Sequence, residues 1–222
     1  MKRGLLIAIP VTLLVVIWLS NHFYFGERVD AFFHQPPEGK SYQNEIDKQK
    51  HLYITKSQVI FLGDSHIEQC EWQEVFQDFD ISNRGIGGEG ISSLEARLDI
   101  AVQPDSQMVF IQIGINDLLS GVNPDVVFSR YQMLIGALKS KHCRIIATLP
   151  FYTRYFPETN EEVFRLNEKL KEWLPTQSVT LLDINPQLSE NKRLKREMSL
   201  DGIHLNAKGY QIWIAAIRPV LQ

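Results

Sequence analysis

The chain has 222 residues, a length that suits one domain of ordinary size plus extra segments. Apolar residues make up 44% and charged residues 22%, which excludes a disordered chain; a net charge of −3 gives no electrostatic case for nucleic acid as a partner. The two cysteines, Cys70 and Cys143, form no CxxC or metal-ligand spacing and read as small buried hydrophobes, with a single disulfide as the alternative.

Lys2 and Arg3 are followed by no charged residue until Glu27, and Gly4 to Leu19 is a nearly unbroken apolar run. A helix over residues 4–25 would be about 33 Å long at about 1.5 Å per residue, enough for a hydrocarbon core of about 30 Å. Phe23, Tyr24 and Phe25 suit the headgroup interface, and a membrane helix tolerates Pro10. No clear small-x-small cleavage site follows the run. Residues 1–25 are therefore expected to form a retained signal-anchor, a single transmembrane helix, rather than a cleaved signal peptide. Lys2 and Arg3 would keep the short N-terminus in the cytoplasm and leave the remainder on the extracytoplasmic, periplasmic side. Residues 26–40, with Pro36, Pro37 and Gly39, read as a stem. Residues 41–222 read as the folded domain.

Ser41–Leu52 reads as a short entry helix, after which strands and helices alternate. Strands are expected at Val59–Leu62, Ile81–Asn83, Met108–Ile113, Arg144–Leu149 and Val179–Leu182. Helices are expected at Glu71–Phe76, Ser92–Val102, Asp125–Leu138 after Pro124, Thr159–Leu174 and Asn206–Leu221, with Asn206 as a cap. The alternation predicts a five-stranded parallel sheet in a three-layer α/β/α domain. Ligands of such sheets sit outside the carboxyl ends of the strands. The segments there are Gly63-Asp64-Ser65-His66, Arg84–Gly90, Gly114-Ile115-Asn116-Asp117 and the aromatic stretch Phe151–Phe156.

Acyl transfer requires a nucleophile, a base, an orienting acid and donors for an oxyanion. Ser65 follows a strand in a Gly63-Asp64-Ser65 turn that enters a helix, so its N–H lies at a helix start; the plain alternative is a helix cap. Asp201 and His204 stand three apart in Asp201-Gly202-Ile203-His204, a spacing that lets a carboxylate meet the ring and fix its tautomer. Gly87 and Gly88 allow a backbone N–H to approach a substrate oxygen, and Asn116 offers a side-chain amide.

Four blocks in this order resemble the SGNH, or GDSL-type, hydrolase family over roughly residues 42–222. They are Gly63-Asp64-Ser65, Asn83 to Gly88, Gly114-Ile115-Asn116-Asp117 and Asp201-Gly202-Ile203-His204. The bacterial branch similar to platelet-activating-factor acetylhydrolase catalytic subunits is the nearest in pattern. The resemblance implies a flavodoxin-like fold, no metal and no cofactor, and hydrolysis of small or acyl esters. It implies Ser65, Asp201 and His204 as a catalytic triad, and an oxyanion hole of Ser65, Gly88 and Asn116. Gly63, Asp64 and Gly87 would support them. His66 departs from the pattern, because many members carry Ile or Leu there.

Other readings are weaker. Gly85 to Gly90 fits GxGxxG, but it follows the second strand, and no acidic residue stands at the end of the next one. Asp64, His66, Asp201 and His204 have the chemistry of metal ligands, yet that reading leaves Gly88 and Asn116 without a task. A non-catalytic module binding acylated glycans or a partner protein, and an acyltransferase using the same acyl-enzyme, complete the alternatives. Phe151–Phe156 lines a substrate pocket or packs a loop. Lys192, Arg193, Lys195 and Arg196 read as a solvated face rather than a lipid or anion contact. The identity of the ester and the oligomeric state are not written in the sequence.

Overall fold

The computed structural model describes residues 40–52, 57–104 and 106–221. The anchor expected over residues 1–25 and the stem expected over residues 26–40 lie outside the described residues, save Lys40, which opens the first helix. Among the described residues, no helix is long and apolar enough to cross a membrane.

Five short strands form one sheet: β1 (Val59–Gly63), β2 (Ile81–Gly85), β3 (Met108–Gln112), β4 (Arg144–Thr148) and β5 (Thr180–Leu182). All neighbours pair in parallel, in the order β2-β1-β3-β4-β5. This is the flavodoxin-like order, and it reverses between β1 and β3, which opens a crevice at their carboxyl ends.

Alternation along the strands builds two apolar layers. Ile60 and Leu62 of β1 and Val109 and Ile111 of β3 face one side. They pack there with α4 (Ile91–Ala96), α7 (Pro124–Lys139) and α8 (Pro157–Trp173) through Leu94, Tyr131, Leu134, Val163 and Leu166. Val59, Phe61 and Phe110 face the other side. They meet Ile67 of α2 (Ser65–Glu68), Trp72 of α3 (Trp72–Val75), Leu188 of α9 (Asn185–Leu188) and Trp213 of α10 (Ala207–Ile217). Phe61 stacks between Trp72 at 4.3 Å and Phe110 at 4.7 Å, and Trp213 meets Trp72 and Phe151 edge-on at 5.2 and 5.1 Å. Leu205, next to His204, packs into this same layer.

The entry helix is α1 (Lys40–His51). Pro124 and Pro157 occupy first-turn positions that need no N–H, and Asn206 caps α10 by accepting from Lys208 and Gly209. One expected helix is divided: Ser92–Val102 breaks at Arg97 into α4 and α5 (Leu98–Ala101). The buried Arg97 guanidinium turns away to bind Glu89, Gln49 and the carbonyl of Arg84, and its backbone leaves helical geometry. Two helices beyond the expected set, α6 (Ile115–Leu119) and α9, are too short to show a period. Strands β6 (Ser189–Glu190) and β7 (Arg193–Leu194) form a hairpin turned by Asn191 and Lys192, both at positive φ.

Both cysteines are free, and burial pushes the Cys70 thiol up to about 11. The basic cluster binds its own surroundings. Lys192 pairs with Glu161 at 2.8 Å, Arg193 donates to the Arg154 carbonyl at 2.6 Å, and Lys195 donates to the Gln187 carbonyl at 2.8 Å.

Candidate active site

Strand β1 ends at Gly63, where a Cβ would sit 1.9 Å from the Gln112 carbonyl oxygen of β3; only glycine allows the two backbones this approach. Asp64 then caps α2, its carboxylate accepting from the His66 backbone N–H at 3.0 Å. The cap is therefore Asp64 and not Ser65, whose hydroxyl is left to other partners. As the first residue of α2, Ser65 has no carbonyl within the helix for its N–H.

The structure brings Ser65, His204 and Asp201 into one hydrogen-bonded line. His204 Nε2 lies 3.0 Å from Ser65 Oγ, and His204 Nδ1 lies 2.6 Å from Asp201 Oδ2. A carboxylate only accepts, so the Nδ1 position carries the proton and Nε2 accepts from the serine hydroxyl. Asp201 Oδ1 also accepts from the backbone N–H groups of Ile203 and His204, both at 2.9 Å. Burial alone would raise the Asp201 carboxyl; the bonds from the His204 ring and these two amides outweigh it and hold it at about 2. Gly202, at φ 87°, turns this loop against Tyr155, whose ring leaves no space for a Cβ. The Gly202 carbonyl accepts from the Arg154 N–H at 2.7 Å, so the segment after β4 supports the loop.

Gly88 and Asn116 are joined through Glu89. Asn116 Nδ2 donates to the Glu89 carbonyl at 3.0 Å, and an amide nitrogen has a second proton to offer. Gly88, at φ 75°, meets no atom within 4 Å of a would-be Cβ and so borders open space. The block before it is tied to β1, because the Ile86 N–H donates to the Gly63 carbonyl at 3.0 Å.

Several supporting residues escape sequence reasoning. Glu89 is fully buried and paired on both oxygens with Arg97, and Tyr42 of α1 donates to it at 3.0 Å. Gln49 of α1 accepts from Arg97 at 2.9 Å. Burial pushes the Glu89 carboxyl up, and the bonds from Arg97 and Tyr42 pull against that rise. Burial likewise raises the Tyr42 phenol to about 12, so it stays a donor at neutral pH. Asp117 accepts from the Ile91 N–H at 3.0 Å and from Arg130 at 3.2 Å, which ties the third block to the second. Arg97 shows in the sequence only as a charge beside the apolar Leu94, Leu98 and Ala101, and Asp117 only as the last residue of the third block.

The metal reading has no support in this geometry. His204 engages both ring nitrogens, and so does His66, with Nδ1 at Asp64 (3.2 Å) and Nε2 at the Ile203 carbonyl (3.1 Å). Among the described residues, no cluster of three or more His, Cys, Asp or Glu side chains is disposed around a cation. The aromatic stretch divides: Phe151 is core, whereas Tyr155 is exposed beside the His204 loop.

A flavodoxin-order sheet thus carries a hydroxyl just past β1, in line with an imidazole and a carboxylate from the loop before α10. The model of the GDSL-like Lipase/Acylhydrolase family matches residues 61–212, and the chain belongs to that family. An N-acylneuraminate cytidylyltransferase of Streptococcus agalactiae serotype III is 26% identical over 176 residues, covering 75% of this chain and 41% of that protein. The chain thus spans about two fifths of that relative's length. Among solved structures, a Streptococcus pneumoniae protein described as a candidate platelet activating factor superposes with a TM-score of 0.71. It is 20% identical, and the match covers 94% of this chain and 99% of that one. A variant of a Geobacillus stearothermophilus acetyl xylan esterase gives a TM-score of 0.61 at 19% identity, covering 73% and 93%. At these identities the two structures speak for the fold alone.

Proposed function

We propose that the chain cleaves acyl esters, acetyl and short-chain esters foremost, through an acyl-enzyme at Ser65. One observation supports this above all: the His204 ring lies in hydrogen-bond reach of Ser65 on one side and Asp201 on the other. His204 takes the Ser65 proton as Oγ bonds to the ester carbonyl carbon. The oxyanion is received by the N–H groups of Ser65 and Gly88 and the Asn116 amide. Collapse breaks the bond to the alcohol, which leaves with the proton from His204. Water, deprotonated by His204, then attacks the acyl-enzyme, and the carboxylic acid departs as the Ser65 hydroxyl is restored.

A short acyl group on a sugar is the substrate class we favour. The acetyl xylan esterase shares the fold, and the cytidylyltransferase relative is named for an acylated sugar acid. A fluorophosphonate probe is expected to label the wild-type chain and not Ser65→Ala, with acetyl esters turned over faster than long-chain ones. Equal labelling of both proteins would remove Ser65 from its role.

The apolar run from Gly4 to Leu19 supports a single-pass anchor with the catalytic domain outside the cytoplasm. The full chain is then expected to stay with membranes through an alkaline wash and to leave them only in detergent. Release by the wash alone would contradict the anchor.

A further inference from the structure

We propose that His66 is a positioning residue, a strut that sets the distance between Ser65 and His204; the inference rests on the reading of the site given above. Ser65 and His204 stand 139 positions apart in the chain, yet the chemistry requires their reactive atoms at 3.0 Å. The bond from His66 Nε2 to the Ile203 carbonyl, 3.1 Å, lies one residue from each of them. It joins the segment that carries the nucleophile directly to the segment that carries the base.

The protons on His66 follow from its partners. A carbonyl oxygen only accepts, so Nε2 carries a proton. Nδ1 faces Asp64 Oδ1 at 3.2 Å, and that oxygen also accepts from the His66 backbone N–H. A bare ring nitrogen set against a carboxylate would place lone pair against lone pair in a site where Asp64 is 0% and His66 1% exposed. Both ring nitrogens are thus engaged, Nε2 by the Ile203 carbonyl and Nδ1 by the Asp64 carboxyl. The other oxygen, Asp64 Oδ2, has no hydrogen-bond partner among the described residues, so the pairing of this carboxylate runs through His66.

The ring is held firmly. Phe151 meets it edge-on at 5.2 Å, and Tyr210 of α10 donates to the His66 backbone carbonyl at 2.8 Å. The centres of the His66 and His204 rings lie 5.6 Å apart. A second histidine–carboxylate pair thus lies beneath the first, with Asp64 orienting His66 as Asp201 orients His204. With Nε2 occupied by the Ile203 carbonyl, His66 does not compete as a base.

The test compares His66→Leu, which removes both bonds, with His66→Gln, whose amide can still donate toward Ile203. His66→Leu is expected to lower kcat by about 10- to 100-fold with KM within about twofold, the scale of a misplaced reacting group. His66→Gln is expected to recover to within about fivefold of wild type. The deshielded proton on His204 Nδ1, read by proton NMR, should broaden or vanish in His66→Leu and persist in His66→Gln. Asp64→Asn keeps an acceptor for the His66 amide and is a gentler variant should His66→Leu fold poorly; its kcat should fall in the same direction. A His66→Leu enzyme with reduced melting temperature but unchanged kcat and proton signal would overturn the strut. So would a His66→Gln enzyme impaired as far as His66→Leu. Ser65→Ala, run alongside, separates the two claims: if it remains active, the reading of the site fails first.

Discussion

At the scale of single residues, the site divides into groups that meet the substrate and groups that hold them. In the proposed mechanism Asn116 belongs to the first set. Replacing it by alanine is expected to lower kcat by about 100- to 1,000-fold, or about 2.7–4 kcal/mol, with KM little changed. Steady-state kinetics on an acetyl ester checks this, and a change confined to KM would contradict it. Asp201 carries a pH signature. Its carboxyl lies below the ordinary aspartate value because the His204 ring and two backbone amides bind the ionised form more strongly than burial opposes it. The order it confers on the loop is therefore complete above the ordinary range and is lost as pH falls through about 2. A carbon-13 NMR titration of Asp201 should show that low midpoint; a midpoint near the usual value would mean the loop bonds do not form. Ser65, His204 and Asp201 were legible in the sequence because each lies in a short block with its own local logic. His66 was visible only as a departure from pattern, since the partner that gives it meaning, Ile203, is 137 positions away.

At the scale of elements, the loop that carries Gly88 is held by contacts from well outside its own block. Glu89 and Arg97 form a buried pair, and α1, which precedes the matched residues 61–212, adds Tyr42 and Gln49 to it. Breaking a buried pair strands a charge. Arg97→Leu is therefore expected to cost about 3–5 kcal/mol in a urea unfolding series, whereas loss of less than about 1 kcal/mol would contradict a buried ion pair. Tyr42→Phe removes one donor to a charged acceptor and should cost about 1.5–3 kcal/mol by the same measurement. The pattern of Leu94, Leu98 and Ala101 reads as one helix because periodicity reports only which face is apolar. The break at Arg97 comes from Glu89 and Gln49, eight and 48 positions away. The long helices and the five strands of the parallel sheet were readable from their own residues; the β6–β7 hairpin was not. The short helices α6 and α9 were not, because they are shorter than any period.

At the scale of the whole molecule, the topology places the chemistry. The order β2-β1-β3-β4-β5 opens the crevice between β1 and β3, and the Ser65 turn and the Asn116 turn follow those two strands. The layers were legible from strand alternation, while the strand order rested on likeness to a family, since pairing is a property of register and not of composition. The measurement that bears most directly on the central claim is capture of the covalent intermediate. The enzyme is mixed with an acetyl ester, quenched in acid within the first turnover, and its peptides are mapped by mass spectrometry. The account predicts an acetyl group on Ser65, depleted when His204 is replaced by alanine. Turnover that continues with no acetyl group on Ser65, or with one on another residue, would contradict it.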